Sequence, residues 1–223
     1  MTAQSVASSW AKPYWALRSK GNGVNMSMIG LKIPQETAGI LSEIKLPGEP
    51  ATDLHITILH LGDALPIGTV SKAVEVAYDV VQKIRPFTVL TTKVICFPEG
   101  SNGVPVVCEI ESEALHELWA KLCEAFDDAG LEYSKKFPVF RPHVTLSWAE
   151  APIKPIKFSP IEWGAHELTI WGGDSGERKV MVSIPIAPFG RAASSKRVAF
   201  GLKLTSPERV ALKFQLTQAG IWE

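Results

Sequence analysis

One short pattern, His-x-Thr, occurs in two strand-like runs of this chain and constrains both its fold and its chemistry. The first run, LHITIL, contains His55 and Thr57, and the second, PHVTLS, contains His143 and Thr145. Side chains two residues apart in a β-strand project to the same face. Each run therefore presents an imidazole beside a hydroxyl, while the aliphatic residues between them face a core.

Hydrophobic periodicity around these runs predicts strands that alternate with helices. The predicted helices cover 35–44, 70–84 and 112–129, and the predicted strands cover 26–33, 87–97 and 104–110, with a hairpin over 163–186. The order strand, helix, His-x-Thr strand occurs twice. We therefore expect an α+β fold in which two pseudo-symmetric antiparallel-sheet lobes, with helices outside, enclose a central cleft.

Charge is balanced over the whole chain but unevenly distributed along it. The 223 residues include 23 basic and 23 acidic side chains, so net charge does not indicate a nucleic-acid binder. Residues 1–25 and 189–215 are both locally basic. They are either solvated terminal segments or arms that reach toward an anionic ligand.

These changes in local charge divide the chain into three expected segments. They are an N-terminal extension over 1–25, a folded domain over 26–187, and a basic C-terminal extension over 188–223 that forms a strand followed by a helix or a hairpin. No run is long and apolar enough to be a leader or a membrane span, which predicts a cytoplasmic protein, in the host cytoplasm if it is viral. The three cysteines, Cys96, Cys108 and Cys123, have no metal-ligand spacing and are expected to be small buried hydrophobic residues.

The two motifs and their flanks resemble the 2H phosphoesterase superfamily. LHITILHLGD is similar to the first motif of that family and FRPHVTLSWA to the second, and the resemblance covers roughly Met26 to Ile186. The superfamily includes LigT-like RNA 2′,3′-cyclic phosphodiesterases and phage anti-CBASS nucleases. Membership implies that His55 and His143 face each other across a phosphodiester, with Thr57 and Thr145 on its non-bridging oxygens.

The residues themselves support the same chemistry. An imidazole titrates near pH 6.5, so one ring is able to take a proton from the nucleophile while the other gives one to the leaving oxygen. The sequence leaves open which histidine is the base. It contains no cluster of histidines, cysteines or carboxylates with metal-ligand spacing, so we expect neither a metal nor a cofactor.

Three further residues are weaker candidates for substrate contacts. Arg141 precedes His143 by two residues and either touches phosphate or forms a salt bridge. Tyr14 and Trp171 either stack on a nucleobase or simply pack.

The resemblance implies a metal-independent phosphodiesterase, and its substrate has two alternatives. One is a small cyclic or 2′-5′-linked oligonucleotide, such as the immune signals that phage anti-CBASS nucleases destroy in immune evasion. The other is an RNA end that carries a 2′,3′-cyclic phosphate. The neutral chain favours the small nucleotide, because a long RNA requires a broad basic groove. The competing class is a module that binds a nucleotide without cutting it, or an assembly protein; the oligomeric state is left open.

Overall fold

A computed structural model describes residues 27–62, 67–100, 102–172, 179–186 and 199–200 of the chain. Three helices occur in this part: α1 (Gln35–Ser42), α2 (Ile67–Val81) and α3 (Glu113–Asp128). The strands are β1 (Ser27–Lys32), β2 (Glu49–Pro50), β3 (His55–Gly62), β4 (Phe87–Cys96), β5 (Val104–Glu111), β6 (His143–Ala149), β7 (Ile156–Lys157), β8 (Glu162–Ala165), β9 (Glu167–Gly172), β10 (Lys179–Pro185) and β11 (Ala199–Phe200).

The described strands form one antiparallel sheet with the two His-x-Thr strands at its centre. Its main path is β11-β10-β9-β1-β3-β6-β5-β4-β7, with β2 beside β6 and β8 beside β4. β3 and β6 meet through a single residue pair, Ile56 with Val144, whereas β1 with β3 and β5 with β6 are paired over most of their lengths. The sheet thus has two halves that join at a narrow seam, which confirms the expected antiparallel α+β architecture.

The main core lies between one face of the sheet and the helices. The alternate residues Ile29 of β1, Ile56 of β3 and Val144 of β6 are fully buried in it, together with the apolar stripes of α2 and α3. The opposite face carries the residues between them, including both motif histidines. We call this second face, which bears His55, Thr57, His143 and Thr145, the motif face.

Helix α3 begins and ends where its sequence indicates. The Ser112 side chain accepts a hydrogen bond from the Leu115 backbone N–H at 3.4 Å and donates one to the Thr88 carbonyl at 2.9 Å. Gly130, just after the helix, has a φ of +65°, the left-handed conformation that glycine adopts without strain.

The segment from Trp163 to Ile186 departs from the predicted simple hairpin. β9 and β10 do pair as a hairpin, but Trp163 lies in β8, which pairs with β4 in the other half of the sheet. Local alternation does not reveal this, because a strand's pairing partner is chosen by packing across the whole molecule. The turn of the hairpin lies outside the described residues.

The expected burial of the cysteines is only partly correct. Cys108 is fully buried on β5, and burial raises the pKa of its thiol to about 12. Cys96 and Cys123 are half-buried, and all three thiols are free.

Part of the C-terminal extension contributes to the sheet. Residues 199–200 form β11, which pairs with Val182 and Ser183 of β10. Whether the remainder forms a helix or a hairpin lies outside the described residues, as does the N-terminal extension with Tyr14. None of the described helices has the length and apolar character that a membrane span requires.

Candidate active site

The four motif side chains come together at the β3–β6 seam. Because Ile56 is paired with Val144, antiparallel register sets His55 opposite Thr145 and Thr57 opposite His143. The two histidines are then diagonal neighbours, and diagonal neighbours lie about 7–8 Å apart. Both imidazoles therefore leave the sheet on the same side of the seam. Both rings remain partly exposed to solvent.

His55 is held by the segment that leads into β3. Its Nδ1 lies 2.7 Å from the carbonyl oxygen of Asp53, and 3.9 Å from an oxygen of the Asp53 carboxylate. Its ring also contacts the Trp171 indole, with 5.6 Å between ring centroids and a tilt of 48°. The imidazole is thus fixed on one side by a backbone carbonyl and on another by an aromatic ring.

His143 is held in the same way at the start of β6. Its Nδ1 lies 2.8 Å from the Arg141 carbonyl oxygen, and its ring packs edge-on to Phe97 at 4.6 Å. Burial lowers the pKa of His143, and the positive charge of Arg141 acts in the same direction, against the opposing effect of the hydrogen bond to the Arg141 carbonyl. The neutral ring is therefore favoured.

The two hydrogen bonds fix the same tautomer in both histidines. A carbonyl oxygen only accepts, so each neutral ring must carry its proton on Nδ1. The remaining nitrogen, Nε2, is then the acceptor of a neutral ring, or a second donor of a protonated one. Both histidines are therefore oriented to exchange protons through Nε2.

The threonines complete the set. Thr57 and Thr145 are half-buried, each on the same face as both histidines. The Thr57 hydroxyl donates to the thioether sulfur of Met28 at 3.5 Å. Sulfur is a weak acceptor, so an anionic oxygen that entered the site would compete for this donor at little cost.

Trp171 reaches His55 across a glycine of the intervening strand. Gly30 of β1 is paired with Thr57 on one side and with Thr169 on the other. A Cβ atom at Gly30 would lie 3.2 Å from the Trp171 ring and 2.1 Å from the Ile56 carbonyl oxygen. Glycine at this position therefore lets the buried indole cross β1 and lets β1 approach β3 closely between the two residues of the first motif.

A charged cluster borders His143. Glu109 of β5 is the direct strand partner of His143. Its carboxylate accepts from Arg141 at 3.0 Å and pairs with Lys93 at 3.2 Å, while the Arg141 guanidinium lies 4.6 Å from the centre of the Phe97 ring. Arg141 is thus positioned beside His143 by a salt bridge and by cation–π contact.

The three weaker candidates from the sequence differ in where they lie. Arg141 lies next to the motif face but in the salt bridge that was its alternative interpretation. Trp171 is only 2% exposed and packs on His55, and Tyr14 is outside the described residues.

Sequence reasoning missed several neighbours of the motifs. These are Lys32, Asp53, Phe97 and Glu109, each brought to the histidines by strand pairing or by a loop. One signal was available, since Asp53 and Arg141 each precede a motif histidine by two residues. Within the described parts of the chain, no group of three or more metal-ligating side chains is close enough together to hold an ion.

Comparisons with known proteins agree with this fold. A family model described as the 2′-5′ RNA ligase superfamily matches residues 37–177. The structure of TT0787 of Thermus thermophilus superposes with a TM-score of 0.63 at 19% identity, covering 74% of this chain and 99% of that one. That of Escherichia coli LigT complexed with 3′-AMP gives a TM-score of 0.50 at 18% identity, covering 74% of this chain and 99% of that one. At such identities the likeness shows the fold. No curated protein matches by sequence.

Proposed function

The chain belongs to the 2′-5′ RNA ligase superfamily, a group of 2H phosphoesterases, and from this premise we propose that it cleaves an RNA-type phosphodiester without a metal. Membership supports phosphodiesterase activity in general. The observation that carries the proposal is the diagonal placement of His55 and His143 across the seam, each with Nδ1 held by a backbone carbonyl. The substrate that we favour is a small cyclic or 2′-5′-linked oligonucleotide.

The surroundings of the two rings suggest opposite protonation states. His143 is the base, because its lowered pKa keeps Nε2 free of a proton near neutral pH. His55 is the acid, because the Asp53 carboxylate 3.9 Å from its Nδ1 stabilises a positively charged ring. His143 takes the proton of the attacking hydroxyl or water, and His55 delivers one to the leaving oxygen.

The threonine hydroxyls stabilise the charge that builds on phosphorus-bound oxygens. Thr57 gives up its weak bond to the Met28 sulfur and donates to one non-bridging oxygen. Thr145, opposite His55, donates to the other. Thr57 lies across the seam from His143, and Thr145 lies across it from His55. A single phosphate is therefore contacted from both halves of the sheet.

Three observations support a small nucleotide over a long RNA. The chain has a net charge of zero, and the cations beside His143 share the Glu109 carboxylate. A long RNA track requires many unneutralised cations. The LigT structure was determined with 3′-AMP, a small nucleotide on the same fold. We include cyclic oligonucleotide immune signals in the proposed substrate class, with RNA 2′,3′-cyclic ends as the alternative.

Product formation tests the proposal. The purified protein is incubated with a chelator and with cyclic di- and trinucleotides, 2′-5′ oligoadenylate and 2′,3′-cyclic mononucleotides. We expect cleavage of at least one oligonucleotide, and loss of about a thousandfold or more in His55→Ala and in His143→Ala, since each removes a proton-transfer group. His116→Gln, an exposed histidine on α3, is the matched control and should retain full activity.

The other outcomes are equally informative. Activity that disappears with the chelator contradicts the metal-free mechanism. Cleavage of the mononucleotides alone assigns the protein to RNA ends. An uncleaved nucleotide that raises the melting temperature makes it a binding module.

A further inference from the structure

Lys32 lies directly beside the first motif histidine. It is the last residue of β1 and the antiparallel partner of His55 on β3. Directly opposed residues project to the same face with Cβ atoms about 5 Å apart, so the Lys32 side chain leaves β1 on the motif face. The five preceding residues of β1 are buried, and Lys32 alone in this strand is exposed. Its ammonium group is therefore available at the edge of the site.

We propose that Lys32 binds a second phosphate of the substrate, next to the one held between the histidines. This inference rests on the proposed function and narrows its substrate class to nucleotides with at least two phosphates. An ammonium group offers three donors to phosphate oxygens, and such charge-assisted hydrogen bonds are the strong ones. Lys32 is a binding residue in this proposal and takes no part in proton transfer.

The other cations near the seam are already engaged. Arg141 and Lys93 both contact the Glu109 carboxylate, at 3.0 and 3.2 Å. The ion pairs among the described residues include none that involves Lys32. A phosphate that reached Lys32 would therefore gain an interaction without breaking any ion pair found in the described parts of the chain.

Without Lys32, the His55 side of the seam would repel a polyanion. The Asp53 carboxylate borders His55 there. Leu31, the residue before Lys32, is paired with Leu168, so Glu167 lies near Lys32 at the end of the β1–β9 ladder. The acidic residues Asp53 and Glu167 are thus both near the end of β1, and the positive charge of Lys32 offsets theirs there.

The test compares two substrates that differ by one phosphate. They are 2′-5′-linked diadenosine monophosphate, which contains only the scissile phosphate, and the same dinucleotide with an added terminal phosphate at either end. Lys32→Ala should lower kcat/KM by about tenfold for an added-phosphate form, the effect of losing one charged hydrogen bond. It should change kcat/KM for the unmodified dinucleotide by less than about twofold. Lys32→Arg should restore most of the preference, and Lys83→Ala, an exposed lysine after α2, should not alter it.

Two results would overturn the role of Lys32. An equal loss on both substrates would mean that Lys32 acts on His55 or on the fold. No loss on either would make it an ordinary surface lysine.

A binding measurement keeps this inference separate from the proposed function. Calorimetry on the His143→Ala variant, with and without Lys32→Ala, gives the dissociation constants of the same ligands. If the native protein cleaves nothing, the proposed reaction fails, but a tenfold weaker binding of the added-phosphate ligand without Lys32 still supports the second phosphate site. If the added phosphate does not improve binding at all, the phosphate site is refuted.

Discussion

At the scale of single residues, the two histidines share a backbone anchor and differ in what else surrounds them. Each Nδ1 faces a carbonyl two residues earlier in the chain, which orients both rings alike. His143 then lies against Phe97 and beside the ion pair of Arg141 with Glu109, whereas His55 lies against Trp171, between Asp53 and Lys32. The two His-x-Thr motifs thereby acquire different electrostatic surroundings.

The lowered pKa of His143 predicts a loss of stability in mild acid. The unfolded histidine titrates at about pH 6.5, so below that pH the unfolded chain binds a proton that the folded site resists. The free energy of unfolding should therefore fall as pH drops from about 6.5 to the folded pKa of His143. Urea titrations between pH 5 and 7.5 should show a weaker fall in His143→Gln than in the native protein. The His116→Gln variant serves as the control, and identical slopes in native protein and His143→Gln would contradict the prediction.

Gly30→Ala should be costly because the new Cβ would lie 2.1 Å from the Ile56 carbonyl oxygen. Either β1 moves away from β3 or Trp171 shifts off His55. We expect destabilisation of about 2 kcal/mol or more, together with reduced activity. Gly39→Ala is the matched control, because a Cβ added to Gly39 in α1 would meet no neighbouring atom within 4 Å.

Gly39→Ala should instead stabilise the protein by about 0.5–1 kcal/mol, through helix propensity alone. Thermal or denaturant unfolding of both variants measures the contrast. Equal effects of the two substitutions would show that the close approach of β1 to β3 is not maintained in solution.

At the scale of elements, α2 and α3 pack against each other and against strands of the sheet. α3 contacts α2 and the core side of β3 and β4, and its buried stripe consists of Leu115, Leu118, Leu122 and Phe126. Both motif histidines remain partly exposed on the other face. Stability and activity should accordingly be separable by substitutions in the helices.

Ser112→Ala tests that separation. Loss of the N-cap hydrogen bond to Leu115 and of the bond to the Thr88 carbonyl should destabilise the protein by about 1 kcal/mol. Activity at a temperature well below unfolding should be unchanged. Ser42→Ala, whose hydroxyl bonds only to the preceding helical turn in α1, should have a much smaller effect. A large loss of activity in Ser112→Ala would mean that α3 positions the seam directly.

At the scale of the whole molecule, the site lies where two halves of one sheet meet through a single residue pair. Neither half contains a complete set of the proposed catalytic groups. The balanced charge of the chain, 23 basic and 23 acidic residues, adds little long-range attraction for a polyanion. We therefore expect substrate binding to depend on the few cations at the seam.

The salt dependence of turnover should reflect those few contacts. We expect the protein to neutralise about two phosphates. A plot of log(kcat/KM) against log(salt concentration) should then have a slope of about −1.4. The measurement uses a 2′-5′-linked oligonucleotide below its KM, at several salt concentrations. Lys32→Ala should make the slope shallower. A slope steeper than about −4 would indicate a long RNA track and contradict the small-nucleotide substrate.

Local patterns in the sequence predicted the three helices, the longer strands and the motif residues. Alternation in β1, β3 and β6, the helical stripe of α3 and its Ser112 cap are local patterns, and local patterns report which face of an element is buried. The His-x-Thr motifs in these strands were sufficient to place His55 on the exposed face of β3 and His143 on the exposed face of β6. The α+β class and the family followed from the same residues.

Which strands pair, and therefore what surrounds each histidine, could be learned only from the folded structure. The pairing of β1 with β3 brings Lys32 to His55, and that of β5 with β6 brings Glu109 to His143. The pairing of β8, which contains Trp163, with β4 in the other half of the sheet also depends on the tertiary structure. Strand pairing depends on contacts between residues far apart in the chain, and no periodicity within one strand encodes its neighbour.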